Sequence, residues 1–170
     1  MIRRVAWAVV LCSLALNQTF AGGLTIKATP KAGGARKGGN ITAGKNIQKE
    51  ERDMYYAFDI RSMAPAPQAD LRVEWVVLVK TMKGKLRTAT EGHEVVSINP
   101  GQTRTVESET FILRKEEGPK GRDFEGKVEG VGVRVLDAQG TLMADLYDPP
   151  ANRKALEEAF AGEVKKRRED

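Results

Sequence analysis

Cysteine is almost absent from this chain of 170 residues: Cys12 is the only one, and it lies inside an apolar stretch near the N-terminus. Past that stretch neither a disulfide nor a thiolate metal site can form. Leu11 precedes Cys12, so the small-residue setting that lipid attachment needs is missing. Histidine is equally scarce. His93 stands alone between Gly92 and Glu94, too little for a zinc site of three or four ligands. As a general base it would depend on Glu91 or Glu94 in the same predicted turn. Ser13, Ser62, Ser97 and Ser108 all lack a Gly-x-Ser-x-Gly setting. Gly130-Val131-Gly132-Val133 falls within a strand pattern with no helix after it, so it is not a phosphate loop. Glu107, Glu109, Glu116, Glu117, Asp123 and Glu125 are close in sequence. They alternate with Arg104, Arg114, Lys115, Lys120 and Arg122, and no calcium-loop spacing is present. The expectation is a protein that is not an enzyme, with no catalytic residues, no metal and no cofactor.

Long apolar runs are also missing. The longest, Val5–Leu16, is short for a membrane span. It follows the basic Met1-Ile2-Arg3-Arg4 and precedes Asn17–Ala21, with Thr19 and Ala21 at the small-residue positions of a cleavage site. Residues 1–21 therefore read as a secretory signal peptide cut after Ala21, leaving no transmembrane helix. The expected address is periplasm, cell surface or medium. An exported chain without disulfides points to a bacterial product whose core is large enough to stand alone.

Acidic residues are absent from Gly22 to Lys49, which carries Lys27, Lys31, Arg36, Lys37, Lys45 and Lys49. Leu24–Thr29 alternates as a short edge strand stopped by Pro30. Lys31–Asn40 reads as a flexible loop, so residues 22–49 are expected to be a basic, Gly-rich linker. No aromatic residue interleaves with these cations, which argues against nucleic acid as the partner. The whole chain has a formal net charge of +5, and Arg3 and Arg4 belong to the leader. So modest a charge suits an anionic neighbour without requiring one.

Strand patterns fill the rest. In Leu71–Lys80, the residues Leu71, Val73, Trp75, Val77 and Val79 share one face at period two. Met54, Tyr56, Phe58 and Ile60 do the same within Asp53–Met63. Lys83-Gly84 marks a hairpin turn, Glu91–Glu94 a second turn, and Val95–Ile98 a short strand ending at Asn99-Pro100-Gly101. Thr103–Arg114 changes phase, which a β-bulge near Ser108 would reconcile. Glu116–Glu125 reads as a surface loop. Val128–Leu136 and Thr141–Tyr147 flank a turn at Asp137–Gly140, with Leu142, Ala144 and Leu146 inward. Asp148-Pro149-Pro150 reads as a helix start. Leu156, Ala159, Phe160 and Val164 then form one stripe, and Lys165–Arg168 supply cations at the helix end. The pattern specifies an all-β, antiparallel sandwich of seven or eight strands over residues 50–147, with a C-terminal α-helix in 148–170.

Trp75 within Val73-Glu74-Trp75-Val76-Val77, the Ile98–Thr103 corner with its Pro100-Gly101, and the closing hairpin Val131–Tyr147 together resemble an immunoglobulin-like or fibronectin-type-III-like sandwich over roughly residues 50–147. The layout is also similar to small secreted immunoglobulin-like proteins encoded near type IV pilus components in mucus-associated gut bacteria. That resemblance implies a non-enzymatic module of the bacterial envelope or surface, possible pilus association, and a protein partner. The alternative is a carbohydrate-binding module for acidic or mucin-type glycans, with Tyr55 and Tyr147 as the ligand-binding candidates. A flat tyrosine-bearing face would favour the glycan, and a long open edge strand the protein partner.

Overall fold

The computed structural model describes residues 18–19, 23–42, 45–81, 83–117 and 123–162. Alternating apolar residues fold into two sheets packed face to face. Sheet A holds β1 (Gln18–Thr19), β2 (Leu24–Thr42), β3 (Lys45–Ser62), β6 (Thr103–Glu107), β7 (Phe111–Glu117) and β8 (Asp123–Glu125). Its order is β1-β2-β3-β7-β8, with β6 also paired to β3. Sheet B holds β4 (Gln68–Lys80), β5 (Leu86–Ile98), β9 (Lys127–Leu136) and β10 (Leu142–Asp148), in the order β10-β9-β4-β5. Every pairing is antiparallel. Setting aside the two- and three-residue β1 and β8, eight strands make the sandwich, as the alternation predicts. The first two long strands share one sheet, while the Trp-bearing strand joins the last two in the other. An immunoglobulin-type sandwich divides its strands in the same way.

The inner faces meet through the residues that the period of two selects. Phe58, Ile60, Val73, Val77, Val133 and Val135 are fully buried, and Trp75 nearly so. Each such side chain contributes about 1.5–3 kcal/mol on leaving water. Phe58 stacks on Tyr56 and meets Trp75 with ring centroids 5.8 Å apart. Trp75 lies opposite Gly92 on β5. A Cβ there would come within 2.6 Å of the indole, so the glycine makes room for the ring.

Several expectations are corrected. Lys31–Asn40 is not a loop: it lies in β2, paired through Thr42↔Lys45 to β3. Pro30 does not stop the strand, because an edge strand needs no donor on its open side. Glu91–Glu94 is no turn either. β5 runs straight through it, and Gly92 serves packing rather than chain reversal. Part of Glu116–Glu125 forms the ends of the β7–β8 pair. Leu142 is exposed, because a bulge between Leu142 and Ala144 shifts the face it presents. The bulge near Ser108 is present. Two residues of β3, Tyr55 and Tyr56, oppose three, Ser108 to Thr110, between β6 and β7.

Asp148 does not cap the helix. A 3-10 turn (Pro150–Asn152) precedes α1 (Arg153–Phe160), and Asn152 Nδ2 donates to the Glu129 carbonyl at 2.6 Å. α1 lies on the outer face of sheet B. Leu156 and Ala159 are buried there with Val76, Leu78 and Tyr147, and Phe160 packs beside them. Gly130 and Gly132 create the seat: a Cβ at Gly132 would stand 2.9 Å from the Phe160 ring, and one at Gly130 3.3 Å from Leu156. Val164 and Lys165–Arg168 lie outside the described residues, as do residues 1–17, most of the expected signal peptide.

Candidate functional site

The two faces of the sandwich differ in what covers them. On sheet B, Asp145, Arg134, Glu74 and His93 occupy opposing positions across four strands, and α1 lies beside this row. Arg134 stacks under the Phe160 ring at 3.7 Å. Asp145 is buried, and its Oδ2 accepts from Arg153 at 3.1 Å. Arg72 pairs with Glu74 at 2.9 Å. A groove of about 270 Å³ beside the end of α1 is lined by Arg72, Glu74, Glu91, His93 and Phe160. Straight passage of β5 through residues 91–94 places His93 and Glu91 on one face, where a turn would have scattered them. Among the described residues, no three His, Cys, Asp or Glu side chains converge to hold a metal ion.

Tyr147 is on this covered face. It is 6 % exposed, under α1, with the Arg153 guanidinium 4.7 Å from its ring centre. Burial, the largest cause, pushes its hydroxyl above the ordinary tyrosine range, while Arg134 and Arg153 oppose the shift. Tyr55 belongs to the other outer face, that of sheet A, opposite Lys31. The fold therefore separates the two candidate tyrosines by the full thickness of the sandwich, and they form no common platform. Tyr56, next in sequence, turns inward between Phe58 and Phe111. Its hydroxyl is pushed up to about 12, first by burial and then by the Asp148 charge.

What the linear pattern missed is the edge of sheet A. β2 is 19 residues long, and among the described residues its only partner on the outer side is β1, which covers Thr25 and Ile26. Among the described residues, no strand pairs with that side from Lys27 to Thr42. At about 3.3 Å per residue the open edge runs some 50 Å. It is basic, with Lys27, Lys31, Arg36 and Lys37 and no carboxylate. β10 approaches β2 within the sandwich body, while the β2–β3 hairpin is longer than either 13-residue strand of sheet B. The sequence signal was present in Leu24–Thr29 and Asn40–Thr42. Four intervening glycines hid its continuity. No helix among the described residues is long and apolar enough to cross a membrane.

No family model matches the chain, and no curated protein does. Among solved structures, it is similar to a Northeast Structural Genomics Consortium target, SoR45, at 8% identity and a TM-score of 0.36. That likeness covers 74% of this chain and 86% of the other. A β-glucuronidase from glycoside hydrolase family 2 is similar over 67% of this chain but 10% of its own, at 9% identity and TM-score 0.33. A structure from Akkermansia muciniphila is similar over 72% and 71% of the two chains, at 12% identity and TM-score 0.30. Scores this low assign neither family nor activity. Fold and site together define an antiparallel β-sandwich with one helix-covered face and one long open strand edge.

Proposed function

We propose that this chain is an exported, non-enzymatic, immunoglobulin-like module of the bacterial envelope or surface, one possible setting being a pilus, and that it works by strand addition at the outer edge of β2. The observation that carries the reading is the state of that edge. Among the described residues it is unpaired over Lys27–Thr42, and it already accepts a strand at Thr25–Ile26 from the chain's own Gln18–Thr19. Unpaired N–H and C=O groups along an edge are a template for an incoming chain, supplying affinity through the backbone. Signal-peptide cleavage after Ala21 would remove β1 and lengthen the open edge. The basic character of β2 favours an acidic partner segment.

The glycan reading keeps one specific support, the Tyr55–Lys31 pair on the outer face of sheet A, where a cation beside a ring suits an acidic sugar. Tyr147 no longer contributes to it, being under α1.

Site-specific photo-crosslinking separates the two. A crosslinker placed at Lys31 is expected to capture a protein in envelope preparations, while one at Ala138, in the distant β9–β10 turn, captures none. Glycan-array binding lost on Tyr55→Ala, with no crosslink at Lys31, would overturn the edge reading.

A further inference from the structure

We infer that this chain forms a two-fold dimer through the edge of sheet B, with β5 of one copy antiparallel to β5 of a second copy. The contact leaves the β2 edge open and goes beyond the reading above, on which it does not depend. Among the described residues β5 pairs with β4 alone, so its other side is an open edge of 13 residues. That strand carries two of the four large apolar side chains exposed among the described residues: Leu86, 41 % exposed, and Val95, 59 % exposed. An edge kept clear of other chains normally bears charge at such positions.

Both apolar residues are on one face. Leu86 lies opposite Lys80 and Val95 opposite Arg72, so each stands on the outer side of sheet B, the side of Val76 and Leu78. Between them β5 takes one extra residue: Val77 pairs with Thr90 and Leu78 with Thr88, leaving Ala89 as the bulge. Without that residue Leu86 and Val95 would point to opposite faces. Arg87 opposes Val79 and Glu94 opposes Val73, which puts these two on the inward side, at the lip of the sandwich. Glu94 is half-buried, and no ion pair to it is present among the described residues.

Register selects one contact. Each β5 residue is placed by its β4 partner. The two-fold that sets Leu86 against Val95 of the other copy then sets Arg87 against Glu94, Thr88 against His93 and Thr90 against Gly92, with its axis at Glu91. Each of these matches occurs twice, and each joins residues of the same face, as an antiparallel ladder requires. The two exposed apolar side chains cover each other, the Glu94 carboxylate stands opposite a guanidinium, and the bulged segment faces Gly92, which has no side chain to meet it. One step to either side loses both gains: Val95 then meets Thr88, or Leu86 meets His93, and Arg87 no longer faces Glu94. The one unfavourable match is Glu91 against its own copy at the axis, where the other copy's His93 is its diagonal neighbour. A contact between like surfaces closes at two copies, and it joins the two four-stranded sheets into one.

Sedimentation velocity on the full chain tests the contact, and cysteine crosslinking maps its axis. The wild-type chain is expected to dimerise at concentrations up to about 1 mM. Leu86→Lys alone and Val95→Glu alone should each weaken the dimer about tenfold, since a charge then meets an apolar side chain at two symmetric places. The double variant Leu86→Lys/Val95→Glu should regain association, because Lys then faces Glu twice. Glu91→Gln should tighten the dimer by removing the like-charge pair at the axis. In a Cys12→Ser background, Glu91→Cys should join two copies under mild oxidation, while Ser97→Cys, far from its own copy, should not. Circular dichroism checks that each variant is folded; if one is not, Leu86→Ser and Val95→Ser replace the pair, with weaker association expected from each. A wild-type chain that stays monomeric, a double variant no better than the single ones, or a Glu91→Cys chain that does not crosslink overturns the contact. Association that survives both single variants undiminished runs through another surface, β2 included, and overturns it equally.

Discussion

Tyr56 and Ser108 bridge the bulge of sheet A between β6 and β7. The Tyr56 backbone N–H donates to Ser108 Oγ at 2.9 Å, and the Ser108 N–H donates back to the Tyr56 carbonyl at 2.8 Å. At this bulge the serine hydroxyl replaces the carbonyl that a regular ladder would have offered. Ser108 is buried, so Ser108→Ala leaves a backbone N–H without a partner or water. The expected cost is about 1–3 kcal/mol, read as a lower urea midpoint with an unchanged slope. Ser108→Thr, which keeps the hydroxyl, should recover part of it.

Two glycines separate clashes of different kinds. Gly92→Ala places a methyl group 2.6 Å from the Trp75 ring, inside the core. The indole has nowhere to go, and about 1–3 kcal/mol of overpacking is expected. The chain has one other tryptophan, Trp7, so the fluorescence difference from a Trp7→Phe background reports the change at Trp75. Gly132→Ala meets Phe160 at 2.9 Å, at the end of a flexible side chain on a partly open face. It should displace Phe160 from Arg134 and loosen the end of α1 at a smaller cost, with the Trp75 signal unchanged.

Alkaline pH weakens the fold through Tyr56. Its hydroxyl is held up to about 12 against an ordinary value of 10.0. A raised folded value means that the neutral form is favoured in the native state. The stabilisation is therefore complete below pH 10 and is lost as pH rises from 10 through about 12. The loss from this group reaches at most about 2–3 kcal/mol. Tyr147 titrates in the same direction. Urea unfolding at pH 9 and pH 11.5 should show the drop, and Tyr56→Phe should reduce it.

Arg153 ties α1 to sheet B. Its guanidinium meets the buried Asp145 carboxylate, bonds Glu157 at 2.8 Å, and lies over Tyr147. Arg153→Ala leaves Asp145 buried without its cation, which is unfavourable in a low-dielectric setting. Amide exchange in α1 should accelerate in this variant and not in Lys154→Ala, one residue away on the exposed side. Arg153→Ala together with Asp145→Asn should restore much of the protection.

The β-sandwich was legible because period two is local. Leu71–Lys80 and Met54–Ile60 each declare one buried face without reference to any partner. The phase change at Ser108 was legible for the same reason. The candidate site was not. Tyr55 and Tyr147 are both tyrosines on strands, and only the assignment of their strands to opposite sheets separates them. Lys31–Asn40 and Glu91–Glu94 were misread because glycine signals chain reversal when seen alone. In β5 the glycine instead gives space to Trp75, a residue 17 positions away.

The sequence by itself determined the alternation of buried and exposed residues, the helical stripe of Leu156, Ala159 and Phe160, and the lack of acid in the stretch that became β2. These depend on residue type and spacing along one segment. Tertiary structure alone decided which strands are neighbours. It set α1 on Gly130 and Gly132, and left β2 outermost. Such relationships arise from pairing between residues far apart in the chain, where register is set jointly by all the faces being buried.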